Sequence, residues 1–239
     1  MRTGPNRPEV FASLSPSSNA AMTEAEPPRD CELCERLVRF RRMNRKAEPH
    51  WFNAPVPSFG DANGRLAIVG LAPGLKGANR TGRPFTGDFA GDLLYGTLIA
   101  HGFARGHYRA AVDDGLELVD CLVTNAVRCV PPENKPTPAE ARACRRFLEA
   151  RLAAMPNLEV VLALGRIAHD SAVRAIGARP AAFPFVHGGS HAVRPGLALF
   201  DSYHCSRYNT NTGRLTHEMF AAVVRDIRRR VDRSRAAAP

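Results

Sequence analysis

Cys31-x2-Cys34 and Cys129-x14-Cys144 are two cysteine pairs far apart in the chain. Together they can close one four-thiolate site, and zinc and an iron–sulfur cluster both accept that ligand set. The bland alternative is four buried free thiols packing as small apolar groups. That role is awkward for Cys31 and Cys34, which lie among charged residues, whereas Cys121 sits in an apolar run and suits it. Cys205 lies in a loop and is read as incidental. A thioredoxin-like use of Cys31-x2-Cys34 would call for a preceding strand, and none is legible. The first 28 residues carry no signal-peptide apolar core, so the six cysteines are read as metal ligands or free thiols of a cytoplasmic protein.

A second stretch could also do chemistry. Leu66 to Val69 is a short apolar run suited to a strand covered on both faces, and glycines follow it at 70, 74, 77, 82, 87 and 91. Such a loop lets the backbone approach a ligand closely, and in an open α/β sheet it leaves the strand where ligands bind. It is not a phosphate-binding P-loop, because Thr81-Gly82-Arg83 stands where Gly-Lys-Ser/Thr is needed. It is not a dinucleotide loop either, since nothing after Val69 spells G-x-G-x-x-G. Asp88, just before a helical apolar spacing that begins at Phe89, could cap that helix or do chemistry.

The chain of 239 residues, 44% hydrophobic, is long enough for one sizeable α/β core. Its net charge of +10 favours a polyanionic partner, nucleic acid first and an anionic membrane surface second. No apolar stretch is long enough to span a membrane. Residues 1–29, rich in Pro, Ser, Ala and Arg, read as a disordered extension, 30–235 as a single domain and 236–239 as a tail.

Four buried strands position these residues. After Leu66 to Val69 come Leu116 to Val127, Val160 to Leu164 and Leu197 to Tyr203, alternating with helices at 89–101, 137–152, 167–176 and 215–231. Thr137-Pro-Ala-Glu140 has the capping-box pattern of a helix start. Cys31 and Cys34 open a further helix, and His50 to Asn63 reads as a packed connector. The pattern predicts a three-layer α/β/α sandwich around a mostly parallel four-stranded sheet. Arg80, Arg83, Lys135, Arg207 and Arg214 fall at its crevice ends, where they are expected to grip phosphates.

Several blocks, in this order, resemble one family: Gly70-Leu-Ala-Pro, Asn79-Arg-Thr-Gly-Arg-Pro-Phe-Thr-Gly-Asp88, Ala126-Val-Arg-Cys129-x-Pro-Pro-x-Asn134-Lys-Pro, Ala163-Leu-Gly-Arg-Ile-Ala168, and Ser202-Tyr-His204-x-Ser-Arg-x-Asn-Thr-x-Thr-Gly-Arg-Leu-Thr216. They are similar to the type B (family 5) uracil-DNA glycosylases over roughly Asp30 to Val231. The resemblance implies the uracil-glycosylase α/β/α fold, a [4Fe–4S] cluster on Cys31, Cys34, Cys129 and Cys144, and a monofunctional glycosylase acting as a monomer on uracil-containing DNA, single- or double-stranded. The competing reading is a nucleic-acid-binding module without activity that holds a metal on its four cysteines.

Carried over residue by residue, Asp88 matches the family's catalytic aspartate, and His204 the histidine that hydrogen-bonds the pyrimidine O2. Phe85 resembles the aromatic that stacks on the extruded base. Gly70, Leu71 and Ala72 match the first base-lining motif, and Asn134 matches a site-loop asparagine. Two positions depart from the pattern. Asn125 stands where a small residue is common, which suggests preference for uracil over purine lesions, and Cys205 stands where proline or a small apolar residue is common.

Overall fold

The four apolar runs carry almost no polar side chains, so each needs strand partners on both edges and packing on both faces. A computed structural model of the chain describes residues 25–236. The elements run α1 (Glu35–Ala47), β1 (Phe59–Gly60), β2 (Leu66–Gly70), α2 (Ala78–Thr81), α3 (Phe89–Ala100), β3 (Ala104–Arg105), β4 (Glu117–Leu118), β5 (Cys121–Asn125), α4 (Pro138–Ala153), β6 (Val160–Leu164), α5 (Arg166–Ala175), β7 (Ser190–Arg194), β8 (Leu197–Ser202), α6 (Arg207–Asn211) and α7 (His217–Ala236). The main sheet has the order β1-β5-β2-β6-β8-β7, and β3 and β4 form a separate ribbon.

β5, β2, β6 and β8 are parallel, with Gly70 opposite Asn125, Val69 opposite Ala163, and Leu164 opposite Ser202. Their carboxyl ends therefore fall in one line, and every following loop leaves from the same edge. The chain passes from β2 to β5 on one side and then to β6 on the other, which makes this edge a topological switch point.

Side chains alternate between two cores even where a strand is buried throughout. Leu66, Ile68, Leu162 and Phe200 face α3 and α7, meeting Leu94, Leu98, Phe220 and Ile227. Ala67, Val69, Val161 and Leu199 face α4 and α5, meeting Leu148, Leu152, Ala172 and Val173. The expected three-layer sandwich is the observed one.

The sheet has six strands rather than the four expected. The two additions are antiparallel edges, β1 on β5 and β7 on β8. β1 is only two residues long inside the proline- and glycine-rich connector, and β7 carries Ser190, His191 and Arg194, so neither shows a core strand's apolar run. The expected strand Leu116 to Val127 is also divided. Asp120 adopts a left-handed backbone (φ 57°) between β4 and β5.

Residues 25 and 26, read from the sequence as part of the extension, pack on the domain. Ala25 is fully buried, and Glu26 accepts hydrogen bonds from Arg128 (2.9 Å), Arg151 (2.8 Å) and the Ser58 amide (3.1 Å). No local pattern marks Glu26, because its partners lie more than thirty residues away. The rest of the expected extension, 1–24, and residues 237–239 of the expected tail lie outside the described residues; residue 236 is the last of α7.

Removing one carboxylate from two buried guanidiniums leaves charge uncompensated, a cost of about 2–4 kcal/mol for a partly exposed partner. A chain starting at Asp30, or a Glu26→Ala chain, is therefore expected to unfold at lower denaturant than one starting at residue 25, with unchanged m-value, by equilibrium urea denaturation.

Candidate active site

β2 ends at Gly70, and the ladder continues past it: the Gly70 and Leu71 carbonyls accept from the Ala126 and Val127 amides at 2.9 and 3.0 Å. The loops after β2 and β5 thus run side by side. A Cβ at Gly70 would collide with Asn125 Oδ1 and the Phe85 ring, so glycine here is what lets those two side chains meet. Gly77 plays the same part for Asp88, whose Oδ2 lies where a Cβ would stand.

Asp88 occupies the N-cap position of α3 but makes no side-chain cap hydrogen bond, and its buried Oδ1 has no partner. The carboxylate faces the Ala90 and Gly91 amides without forming a full capping bond. Burial pushes its pKa up, the amides of Ala90 and Gly91 pull the other way, and the charge of Asp92 adds to the rise. Asn125 is almost wholly buried at the end of β5, and its Oδ1 likewise has no partner.

His204 stacks beside Phe85, ring centroids 5.8 Å apart and planes at 27°. Burial drives its pKa down to about 4, so the imidazole is neutral at pH 7 and offers one N–H donor. Asn209 Nδ2 fixes the following turn by donating to the His204 carbonyl at 2.8 Å. Cys205 is fully buried between His204 and the core. Burial and then the nearby Asp88 charge push its thiol up, so it stays protonated.

His204 also lines an open cleft of about 390 Å³ with Arg166, Phe185, His187, Tyr203 and Arg214. The cleft's far wall hangs on a buried pair: His169 faces Asp201 Oδ1 and the Phe183 carbonyl, each at 2.7 Å. Both ring nitrogens thus meet acceptors, which requires both protons. Burial pushes the His169 pKa down, but Asp201 outweighs it and the net shift is upward. Asp88 does not line this cleft; it faces Gly74 and Gly77.

The other expected site residues divide. Leu71 is half-buried beside Asn125's loop, while Ala72 packs its side chain on the cysteine cluster and leaves only backbone for a ligand. Asn134 sits in an exposed turn with left-handed backbone (φ 58°). Arg80, Lys135 and Arg207 are exposed, and Arg214 lies over the Tyr203 ring at 4.6 Å in the cleft.

Arg83 is a correction. It is buried and bound to both oxygens of Asp114, at 2.9 and 2.8 Å, so it is not free to meet a phosphate. Sequence reasoning missed Asp114 and Tyr108, which surround it, and His187, which stacks on Tyr203 at 4.8 Å. The Tyr203 amide donates to His187 Nδ1 at 3.1 Å, which leaves that ring's proton on Nε2. None of the three lies in a motif; each is brought in by another element.

Cys31, Cys34, Cys129 and Cys144 share one pocket with Leu37, Val127 and Phe147. Arg41 donates to Cys129 Sγ at 3.5 Å, and the Arg128 amide donates to Cys144 Sγ at 3.3 Å. Among the described residues, no three His, Cys, Asp or Glu side chains are already grouped to hold a metal ion.

Comparison with known proteins gives a consistent result. The sequence model of the Uracil DNA glycosylase superfamily matches residues 57–228. A Type-5 uracil-DNA glycosylase of Thermus thermophilus is 47% identical over 205 residues, 83% of this chain and 93% of the relative. One from Pyrobaculum aerophilum is 39% identical over 200 residues, 82% and 87% of the two chains. A Type-4 uracil-DNA glycosylase of Thermotoga maritima is 37% identical over 110 residues, 46% and 49%.

The unpaired Asp88 carboxylate has a stability consequence of definite sign. Its folded pKa is raised, so the folded state loses stability as pH rises through that value. Asp88→Asn is expected to raise Tm at pH 7, with the advantage vanishing below the ordinary carboxylate pKa, where both states carry the proton; scanning calorimetry across pH 3–8 checks it.

Proposed function

The chain belongs to the uracil DNA glycosylase superfamily, and on that premise we propose that it is a monofunctional glycosylase that hydrolyses the N-glycosyl bond of uracil in DNA, for base excision repair. The observation that carries the reading is that Asp88 Oδ1, in the loop of Phe85, and Asn125 Oδ1, beside that loop, are buried without partners close to where Phe85 and His204 stack. Buried oxygens without donors are costly, and a site that receives a polar ligand is where such a cost is tolerated.

The roles follow from the chemistry. A base inside a duplex is out of reach, so the nucleotide is flipped out at a cost of about a few kcal/mol. Stacking on Phe85 returns about 1–3 kcal/mol of it. Asn125 Oδ1 accepts from uracil N3–H while its amide donates to O4; cytosine presents the opposite pattern and is refused. Hypoxanthine offers the same pair through N1–H and O6, so this complement refuses cytosine without by itself separating uracil from hypoxanthine. As the bond breaks, negative charge grows on the base O2 and positive charge on the sugar. The neutral His204 donates to the first, and ionised Asp88 stabilises the second and orients water. Burial makes Asp88 more basic than an exposed carboxylate, which suits that task. Products are free uracil and an abasic site, with no strand cleavage.

Arg80, Lys135, Arg207 and Arg214 hold the phosphates, and exposed Tyr208, Ile167 and Val186 give the same edge apolar contacts. The partner is uracil-containing DNA, single- or double-stranded, and the protein acts as a cytoplasmic monomer. No helix among the described residues is long and apolar enough to cross a membrane.

The four cysteines fit a [4Fe–4S] cluster. The donor set is all thiolate, with N–H groups of Arg41 and Arg128 aimed at sulfur. Arg41, Arg128 and Arg151 are buried close by, and Glu26 answers the last two with a single charge. The surplus positive charge suits a dianionic thiolate cluster. When bound, the cluster supplies architecture and charge, stapling α1 to the loop after β5.

Uracil release from a labelled oligonucleotide tests the enzymology. Asp88→Ala is expected to lower it by about two to three orders of magnitude while DNA binding persists; unchanged release would sink the assignment of Asp88. The wild-type rate should fall as pH drops through the raised Asp88 pKa. Purified protein is expected to contain iron and acid-labile sulfide in equal amounts, lost together in Cys129→Ser, as elemental and sulfide analysis would report; a colourless zinc protein would overturn the cluster.

A further inference from the structure

Phe85 stands in a backbone conformation that aromatic residues rarely adopt, φ 52°, in the middle of the glycine-rich loop. Strain of this kind persists only where the surroundings hold it. Here the hold is visible on three consecutive residues. Tyr95 donates its hydroxyl to the Pro84 carbonyl at 2.6 Å, Tyr108 donates to the Phe85 carbonyl at 3.0 Å, and Arg83 Nε donates to Thr86 Oγ1 at 2.7 Å.

Arg83 is in turn locked. Its guanidinium binds Asp114 through both terminal nitrogens and lies over the rings of Phe59, Tyr95 and Tyr108 at 5.1, 5.8 and 5.9 Å. Asp114 also accepts from the Arg109 and Leu116 amides at 2.9 and 3.1 Å. Its carboxyl is held well below the ordinary carboxylate range, chiefly by the hydrogen bond from Arg83. Gly91, at the start of α3, leaves room for the Tyr108 hydroxyl to reach the Phe85 carbonyl, since a Cβ there would strike both.

We propose that Arg83, Asp114 and Tyr108 are positioning residues that clamp Phe85 in its left-handed conformation, so that its ring is presented to the base as a preformed stacking platform. The proposal rests on the reading of Phe85 given above. It separates two kinds of arginine at this edge: exposed ones that meet phosphate, and a buried one that never touches DNA and acts on the base through Phe85. A preformed platform spares the ordering cost that a mobile aromatic would incur on binding.

Tyr108→Phe is the informative variant, because it removes the bond to the Phe85 carbonyl and leaves the ring under Arg83. Full-length, cluster-loaded protein would be titrated with two oligonucleotides, one carrying a non-hydrolysable 2′-fluorinated deoxyuridine and one a tetrahydrofuran abasic site. Binding to the first is expected to weaken about three- to tenfold, the range of one hydrogen bond, with binding to the second unchanged and Tm lowered only slightly. Equal weakening on both, or on neither, overturns the clamp. Phe85→Ala run alongside separates the two layers. If it loses the uracil-dependent binding and Tyr108→Phe does not, the clamp is wrong and the platform stands; if neither loses it, the platform reading fails and the clamp falls with it.

Discussion

The parallel register of β5, β2, β6 and β8 is the constraint on which the rest depends. Because Gly70, Asn125, Leu164 and Ser202 end their strands in one line, loops from four distant parts of the chain leave at one edge. A shift of one residue in any pairing would turn that strand's side chains to the opposite face and carry its loop away from the others. The register is protected by two cores, each accepting alternate residues of the same strands, so slippage would break both at once.

What that edge assembles is locally unfavourable. A carboxylate without its cap bond, an amide oxygen without a donor, a buried neutral histidine and a left-handed phenylalanine each cost stability. They are tolerated because they sit beside layers that are largely apolar and tightly packed. The same division explains Arg83 and Asp114: a fully paired buried ion pair contributes little net stability but specifies geometry strongly, and geometry is what Phe85 lacks by itself.

The cysteine pocket lies at the opposite limit of locality. Arg36 reaches from α1 to Glu140, which also closes the capping box of α4, and its guanidinium bonds the Lys135 carbonyl at 3.0 Å. The turn carrying Glu133 to Lys135 is thereby tied to the helix that follows Cys31 and Cys34. A group bound by the four thiols would set the attitude of that turn without touching the base.

By itself the sequence determined the layers, the four core strands, the capping box, the glycine loop and the pairing of cysteines, since each is a local pattern of hydrophobic period, backbone freedom or ligand spacing. Family blocks added the roles proposed for Asp88, Phe85 and His204. Only the tertiary structure decided which polar groups are already paired and which are free. Arg83 and Arg207 look alike in the chain, yet one is buried on Asp114 and the other exposed over the Phe89 ring. Asn125 and Asn134 look alike too, yet one is buried with an orphan oxygen and the other faces solvent. The edge strands, the burial of Ala25 and the Glu26 pairings belong with these. Hydrogen bonding and desolvation depend on partners distant in sequence, and no local pattern encodes where the fold will bring them.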